Sequence, residues 1–274
     1  QIVYKGAFNG ITLWYSKILP FLLPMFILSN ILLQYNFIYS VLESSSTLIK
    51  KLPLSSFTFI PFFIGIIAGY PSGALAINLM AKNKKINSAE ANYLTIFTNN
   101  CSYQFISSVV VFSMFNNLSL LKYIAFPHYF GALLLGLLNK SNFSSNTPKK
   151  NTRHSSYLTF DKIFSNSISK SIKSILTIGG VIIIFSIFSE YINFLLLSRI
   201  DFLHLNTDTH EIITSLLVGF FEITNGCNLI CASGVSVKIQ LLIVNFLLSF
   251  SGFSIIFQTI AVTNNFNFNL GKYT

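Results

Sequence analysis

Charged residues are scarce in this sequence. They make up 9% of its 274 residues, against roughly 25% in a typical soluble domain. Hydrophobic residues make up 52%, Phe alone occurs 29 times, and the mean hydropathy is +0.64. This composition excludes a water-soluble globular protein. A chain of this length, divided into spans of roughly 20 residues, predicts an all-α polytopic membrane bundle of about six to eight membrane elements.

Cysteine is scarce as well, and the motifs of several enzyme classes are missing. Cys101, Cys227 and Cys231 lie in or beside apolar stretches, and their spacing fits neither a disulfide framework nor a zinc site. We interpret them as small packing residues. The sequence has no phosphate-binding loop and no nucleophile beside a base, so we expect no ATP-driven pump, no enzymatic activity, no cofactor and no metal centre. It also begins without the basic and apolar regions of a signal peptide.

Positive charge is abundant, and the formal net charge is +10. The basic residues lie between apolar stretches and form no basic face with interleaved aromatics, which argues for a lipid bilayer rather than nucleic acid as the partner. Stretches without Asp, Glu, Lys or Arg cover residues 18–42, 52–81, 91–121, 123–139 and 239–271, while 174–198 and 212–237 are interrupted only by Glu190 and Glu222.

One extended polar segment separates two membrane halves. Residues 140–173 are rich in Ser, Asn, Thr and Lys, and we interpret them as a basic linker between a first half, 1–139, and a second half, 174–274. Each half contains two interruptions of its apolar stretches. Gly73 and Gly226 lie 153 residues apart in the first pair of breaks, and Asn100 and Ser251 lie 151 apart in the second pair. Such paired breaks predict an internal duplication with a binding site near the bilayer midplane.

The breaks allow two topologies. Non-helical backbone survives at membrane depth only where protein or a water-filled cavity surrounds it, so we expect the breaks to face inward. If residues 54–81 and 212–237 are re-entrant hairpins, the halves are inverted repeats; if both segments cross fully, the halves are parallel. Both alternatives put 13 of the 18 basic residues on the side of the linker, so the linker is expected to be cytoplasmic. We favour hairpins because each break falls in the middle of its stretch.

An ordered set of short motifs resembles a known family. The set comprises Gly69-Tyr-Pro-Ser-Gly73, Glu90, Thr98-Asn-Asn100, Phe221-Glu-Ile-Thr-Asn-Gly226 and Ser251-Gly-Phe-Ser254. It is similar to the YlbJ (SpoVV) family of sporulation integral membrane proteins, which carry nucleoside-recognition gate domains. The resemblance implies a fold similar to concentrative nucleoside transporters and movement of dipicolinic acid across the outer forespore membrane. It also implies further helices before and after this chain, so the second half is expected to be truncated.

The first pair of breaks supplies most of the candidate binding residues. Broken helices expose backbone N–H groups and the positive end of a helix dipole, which suit a carboxylate. Tyr70 is either a stacking platform for a flat ring or an interface anchor, and the polar side chains after it either contact solute or satisfy broken backbone. The candidates in this half are Gly69, Tyr70, Pro71, Ser72, Gly73, Asn99, Asn100 and Ser102.

Glu222 is the most informative single residue. An acid inside a membrane segment costs about 2.5 to 3.5 kcal/mol on insertion scales and marks a functional site by default. We expect it to couple transport to a proton or sodium ion; the alternative is a structural acid hydrogen-bonded to the adjacent break. The binding candidates of the second half are Thr224, Asn225, Gly226, Ser251 and Gln258.

Three functions remain open at this point. The first is a secondary transporter or facilitator of a small anionic solute, as the resemblance implies. The second is a cation-coupled nucleoside or nucleobase carrier, and the third is a non-transporting membrane scaffold for assembly of the spore envelope. A homo-oligomer is compatible with each of them.

Overall fold

The computed structural model describes residues 1–34, 58–139, 159–197 and 206–273. Their α-helices are α1 (Ile2–Leu13), α2 (Leu19–Gln34), α3 (Phe59–Ala68), α4 (Ser72–Lys82), α5 (Ser88–Thr98), α6 (Leu121–Leu138), α7 (Phe160–Leu197), α8 (Thr207–Phe221), α9 (Ile223–Ala232), α10 (Val237–Phe250), α11 (Gly252–Val262) and α12 (Leu270–Tyr273). Two π-helical segments, Trp14–Ile18 and Phe105–Met114, and a 3-10 turn complete the regular structure. These residues contain no strand, so the all-α prediction is confirmed for them.

Three stretches of helix are long and apolar enough to cross a bilayer. They are Leu118–Leu138, Phe160–Leu195 and Val237–Val262. Their outer faces are apolar too: Phe126 and Phe130 on α6, for example, are 66% and 49% exposed. Large exposed apolar surfaces of this kind face lipid rather than water. The chain is an integral, multi-pass membrane protein.

The chain folds as two compact units. The first unit contains Gln1–Leu19, Cys101–Phe130 and Thr177–Gln258, and the second contains Pro20–Asn100, Gly131–Leu176 and Thr259–Thr274. Each unit therefore combines residues from both parts of the sequence. The two membrane halves predicted from the sequence, 1–139 and 174–274, concern internal duplication. The two units do not test that duplication, so the division into halves stays a prediction.

Helix α7 begins earlier than the sequence indicates. Most of the predicted linker, residues 140–158, lies outside the described residues, but α7 already starts at Phe160 and continues for 38 residues. Ile163, Ser167 and Ser171 are buried at intervals of four, which places them on one face of the helix. The end of the predicted linker is therefore helical, and one face of this helix is buried in the second unit although the stretch is rich in polar residues.

Close glycine packing joins α1 to α7 in the first unit. A methyl group at Gly6 would lie 2.7 Å from the Cα of Ile187, and one at Gly10 would lie 2.8 Å from the Cα of Ile183. Small residues spaced by four allow helix backbones to approach this closely in membranes. An ion pair between Lys5 and Glu190 joins the same helices.

Candidate functional site

The chain reverses direction between α3 and α4 in the second unit. A methyl group at Gly65 on α3 would lie 2.2 Å from the Thr98 carbonyl oxygen, and one at Gly73 on α4 would lie 2.4 Å from the same atom. In a continuous helix these glycines would be about 12 Å apart. Since both approach one oxygen atom at the end of α5, α3 and α4 form a helical hairpin, which we call hairpin A.

The tip of hairpin A is the first break expected from the sequence. Gly69 ends α3 with φ +77°, a conformation that side chains disfavour, and the Tyr70-Pro71 peptide is cis. Pro71 directly precedes α4, where its missing N–H leaves no donor unpaired. Tyr70 is half-buried, and its two alternative roles both stay predictions.

Two buried hydroxyl groups near this tip have no hydrogen-bond partner among the described residues. They belong to Ser72, the first residue of α4, and Thr98, the last residue of α5. The two residues are 1% and 0% exposed. Buried hydroxyl groups are normally paired, so their presence beside a broken helix distinguishes hairpin A from ordinary packing. Thr98 was not among the site residues predicted from the sequence.

Asn99 links the break after α5 to the end of the chain. Its Oδ1 accepts from the Ala74 N–H at 3.3 Å, and its Nδ2 donates to Thr259 Oγ1 at 2.9 Å and to the Tyr273 hydroxyl at 2.7 Å. The Oδ1 atom thus pairs with a backbone N–H of the broken helix, which is one of the two roles expected from the sequence, and the Nδ2 atom pairs with two side chains. Asn100 is buried, and its Nδ2 donates to the Phe97 carbonyl at 2.9 Å.

Two asparagines hold the segment that precedes α12. Asn78 Oδ1 accepts from the Asn265 N–H at 2.8 Å. Asn92 donates to the Asn267 carbonyl and accepts from the Asn269 N–H, both at 2.7 Å. A cavity of about 420 Å³ opens nearby, and Asn92, Tyr93, Asn139 and Lys272 are among its lining residues. None of the predicted site residues lines that cavity.

The break after α5 continues into the first unit, where two side chains of α6 form hydrogen bonds with the backbone of Cys101. His128 Nε2 accepts from the Cys101 N–H at 3.1 Å, and the Tyr129 hydroxyl donates to the Cys101 carbonyl at 2.9 Å. The buried Ser102 hydroxyl accepts from the Phe105 N–H at 3.1 Å, so it caps the start of the second π-helical segment. His128 is buried, and its ring nitrogen pairs with backbone that follows the broken helix.

A second hairpin, hairpin B, consists of α8 and α9 in the first unit. A methyl group at Gly226 would lie 2.3 Å from the Cα of Gly219. At the open end of the hairpin, the Gly234 N–H donates to Glu211 Oε2 at 3.0 Å. Because residues at both ends of α8 meet residues of α9 and its C-terminal turn, the chain reverses at Glu222. Both hairpins therefore turn at breaks that the sequence predicts.

Glu222 caps α9. Its Oε2 accepts from the Asn225 N–H at 2.8 Å, and its carboxylate also lies close to the Thr224 N–H and hydroxyl. Its backbone carbonyl accepts from the Gly226 N–H at 3.2 Å. Glu222 is 3% exposed, and no salt bridge to it occurs in the described part of the chain. These contacts are the ones expected of a structural acid beside a helix break. The role of Glu222 in ion coupling stays a prediction.

The last break joins α10 and α11 beside the tip of hairpin B. Ser251 and Gly252 both have left-handed backbone, with φ +69° and +67°. A methyl group at Gly252 would lie 2.9 Å from the Gly219 carbonyl oxygen, so this break packs directly on the hairpin. Gln258, buried on α11, donates to Ser254 Oγ at 3.0 Å.

The predicted residues therefore form two groups, one in each unit. The second unit contains Gly69, Tyr70, Pro71, Ser72, Gly73, Asn99 and Asn100, and the first unit contains Ser102, Glu222, Thr224, Asn225, Gly226, Ser251 and Gln258. Sequence reasoning missed Thr98, His128 and Tyr129, although Pro127 before the last two is a signal for irregular helix geometry. The described residues contain no cluster of His, Cys, Asp and Glu that could hold a metal ion.

Comparison with known proteins agrees with the motif resemblance. No protein-family model matches the chain, and no solved structure matches it. Among curated proteins it is similar to the sporulation integral membrane protein YlbJ of Bacillus subtilis (strain 168), with 29% identity over 288 aligned positions. The alignment covers 93% of this chain and 69% of that relative, and so includes residues of both hairpins. This similarity over most of the chain supports its assignment to the YlbJ family of sporulation integral membrane proteins.

Proposed function

We propose that this protein is a secondary transporter or facilitator of a small anionic solute. One observation carries the proposal: two helical hairpins, each with a broken tip, bury polar side chains inside a protein whose outer surface is apolar. At hairpin A these include Ser72, Thr98 and Asn100, and at hairpin B they include Glu222 and Ser251. Polar groups are costly within a membrane and mark solute or ion paths.

The family resemblance supplies the solute and the setting. Dipicolinic acid carries two carboxylates on a flat pyridine ring, and its movement across the outer forespore membrane would fit the sporulation role in the name of the Bacillus subtilis relative. We further propose inverted-repeat halves similar to those of concentrative nucleoside transporters, a cytoplasmic linker at 140–173, and no enzymatic activity. Two hairpin tips, each followed by a second break in the chain, support the repeat.

Glu222 is the proposed coupling residue. Its carboxylate has a fixed position at the start of α9. An acid in a membrane segment that has no cationic partner among the described residues is suited to exchange a proton or bind sodium. Glu222→Gln keeps an oxygen atom to accept from the Asn225 N–H and removes the charge. This substitution therefore separates ion coupling from helix capping.

Uptake of labelled dipicolinate into proteoliposomes tests the proposal. The purified chain is compared with Glu222→Gln and Asn100→Ala, under a proton gradient and then under a sodium gradient. Glu190→Gln and Asn139→Ala are the matched controls, because Glu190 belongs to neither hairpin and pairs with Lys5, and Asn139 is exposed. We expect uptake by the wild type and both controls, and a loss of at least about tenfold in the two test variants.

Other outcomes select other functions. Uptake of labelled nucleosides without dipicolinate would favour the cation-coupled nucleoside carrier. Folded protein that moves neither solute under either gradient, and that tolerates Glu222→Gln and Asn100→Ala in sporulating cells, would support the membrane scaffold and contradict transport.

A further inference from the structure

The helices that follow the two hairpin tips differ at their N-termini. Helix α4 follows the tip of hairpin A, and α9 follows the tip of hairpin B. The first turn of any helix presents backbone N–H groups that its own carbonyls do not satisfy, together with the positive end of the helix dipole. What occupies these groups decides whether an anion can bind there.

At α9 the position is already filled by an acid of the chain itself. The Glu222 carboxylate accepts from the Asn225 N–H and lies close to the Thr224 N–H, and its backbone carbonyl accepts from the Gly226 N–H. A second carboxylate placed there would meet an existing acid and find these donors engaged. Hairpin B is therefore closed to anions at its tip.

At α4 the residue that precedes the helix, Pro71, makes no capping hydrogen bond with its side chain, and the first turn contains no acid. The N–H groups of Ser72, Ala74 and Leu75 donate to Gly69 O, Asn99 Oδ1 and Pro71 O. The Gly73 N–H finds no acceptor in the described part of the chain. Helix α4 is 11 residues long, so its dipole is fully developed at this end.

The Ser72 hydroxyl is an independent second observation at the same place. Ser72 is 1% exposed, and its Oγ has no partner among the described residues. Since Ser72 is the first residue of α4, its hydroxyl and the Gly73 N–H are neighbouring donors at one helix end. The buried Thr98 hydroxyl is likewise unpartnered in the described residues, and the Thr98 carbonyl contacts Gly73. A group with two acceptor oxygens would satisfy adjacent donors of this kind.

We infer that the N-terminus of α4 is a carboxylate-binding subsite, in which the Ser72 hydroxyl and the Gly73 N–H donate to the two oxygens of a solute carboxylate. The subsite rests on the proposed function, because it assigns the anionic group of the solute to hairpin A. It assigns no anion to hairpin B, whose own carboxylate is Glu222. The two tips thus take opposite roles in binding a charged solute.

Binding to the purified full chain in lipid nanodiscs tests this subsite. The probes are dipicolinate, benzoate as a carboxylate of minimal size, inorganic phosphate as a different anion, and the neutral pyridine-2,6-dicarboxamide. Ser72→Ala is expected to weaken both carboxylates by about tenfold or more, as loss of a hydrogen bond to a charged group does. Binding of the dicarboxamide is expected to change less than threefold. Ser167→Ala is the control, because it also removes a buried hydroxyl from the second unit.

A second variant protects the test against loss of folding. Ser72→Cys keeps nearly the same size and replaces the hydroxyl with a weak donor, so it is expected to weaken carboxylates in the same direction. Carboxylate binding unchanged in the folded Ser72 variants would overturn the subsite, and so would an equal loss for the dicarboxamide or tighter binding of phosphate than of carboxylates.

The same titrations separate this inference from the proposed function. If benzoate binds in a Ser72-dependent way while dipicolinate neither binds nor is transported, the subsite stands and the proposed solute fails. If dipicolinate is transported equally by wild type and Ser72→Ala, the transporter stands and the subsite fails. If no carboxylate binds to folded wild-type protein, both are wrong.

Discussion

His128 Nε2 accepts a 3.1 Å hydrogen bond from the backbone N–H of Cys101. The accepting nitrogen has no hydrogen, so this contact fixes a neutral imidazole with its proton on Nδ1. The Tyr129 hydroxyl binds the carbonyl of the same residue. Two adjacent side chains of α6 therefore satisfy both backbone polar groups of one residue that follows a broken helix.

Removing this acceptor should destabilise the break. His128→Leu leaves the Cys101 N–H buried and unpaired, which costs about 1 to 3 kcal/mol, and Tyr129→Phe should cost about 1 kcal/mol. The free energy of unfolding in mixed micelles measures both effects. Tyr123→Phe, which changes an exposed tyrosine of α6, is the control and should change little. Equal stability of His128→Leu and wild type would contradict the role of the histidine.

Pro127 and Asn245 should be energetically coupled. Proline has no N–H, so the Tyr123 carbonyl, four residues earlier, lacks its normal helical partner; Asn245 Nδ2 donates to that carbonyl at 3.1 Å. Asn245→Ala should cost about 1 kcal/mol in the wild type and less after Pro127→Ala, which supplies the missing N–H. A double-mutant cycle of unfolding free energies measures the coupling, and strictly additive effects would refute it.

Gly65→Ala should disrupt hairpin A. The new methyl group would lie 2.2 Å from the Thr98 carbonyl oxygen, and since that oxygen is backbone, the helices must separate at a cost of about 1 to 3 kcal/mol. Gly131→Ala is a matched control, because apart from its own helix backbone no atom of the described residues lies within 4 Å of its added methyl group. It should be neutral or more stable by about 0.5 to 1 kcal/mol from helix propensity. Thermal unfolding of both variants decides the point, and a harmless Gly65→Ala would rule out the close approach.

Asn78 and Asn92 should limit the opening of the segment before α12. Their Oδ1 atoms accept from the backbone N–H groups of Asn265 and Asn269. Asn78→Ala and Asn92→Ala should each accelerate amide exchange at the corresponding residue by about five- to tenfold. Asn139→Ala, which loses only a bond within its own helix, should leave both rates unchanged. Hydrogen exchange followed by mass spectrometry compares the variants, and unaltered rates would show that the asparagines do not hold this segment.

Local signals in the sequence were sufficient to predict the membrane class and the breaks. Low charge and long apolar stretches predict the all-helical membrane protein, and both hairpins turn where Gly69 to Pro71 and Glu222 interrupt such stretches. These features depend on composition and on residues close together in the chain. For the same reason, Ser72 could be proposed as a candidate binding residue, because it lies in the first break directly after Pro71.

Long-range partners could not be predicted in this way. Asn99 was predicted either to contact solute or to satisfy broken backbone, and neither interpretation indicates Thr259, which is 160 residues away in sequence and accepts from its side-chain amide. The hydrogen-bond partner of His128, the Cys101 N–H, lies 27 residues earlier in the sequence. Nothing in the local pattern of either residue identifies its partner, because side-chain hydrogen bonds depend on tertiary packing. The extension of α7 into the predicted linker has a similar cause: its burial stripe includes serines, which hydropathy does not detect.

The composition of the second unit has a consequence for biogenesis. Hairpin A is synthesised before Thr259 and Tyr273, which accept from Asn99 beside its tip and follow Asn99 in the chain by 160 and 174 residues. When hairpin A enters the membrane, the residues that complete its unit have therefore not yet been made. Asn99, which accepts from the Ala74 N–H of hairpin A, gains these contacts only after Tyr273 has been synthesised, and a premature stop codon after residue 258 would remove both of them.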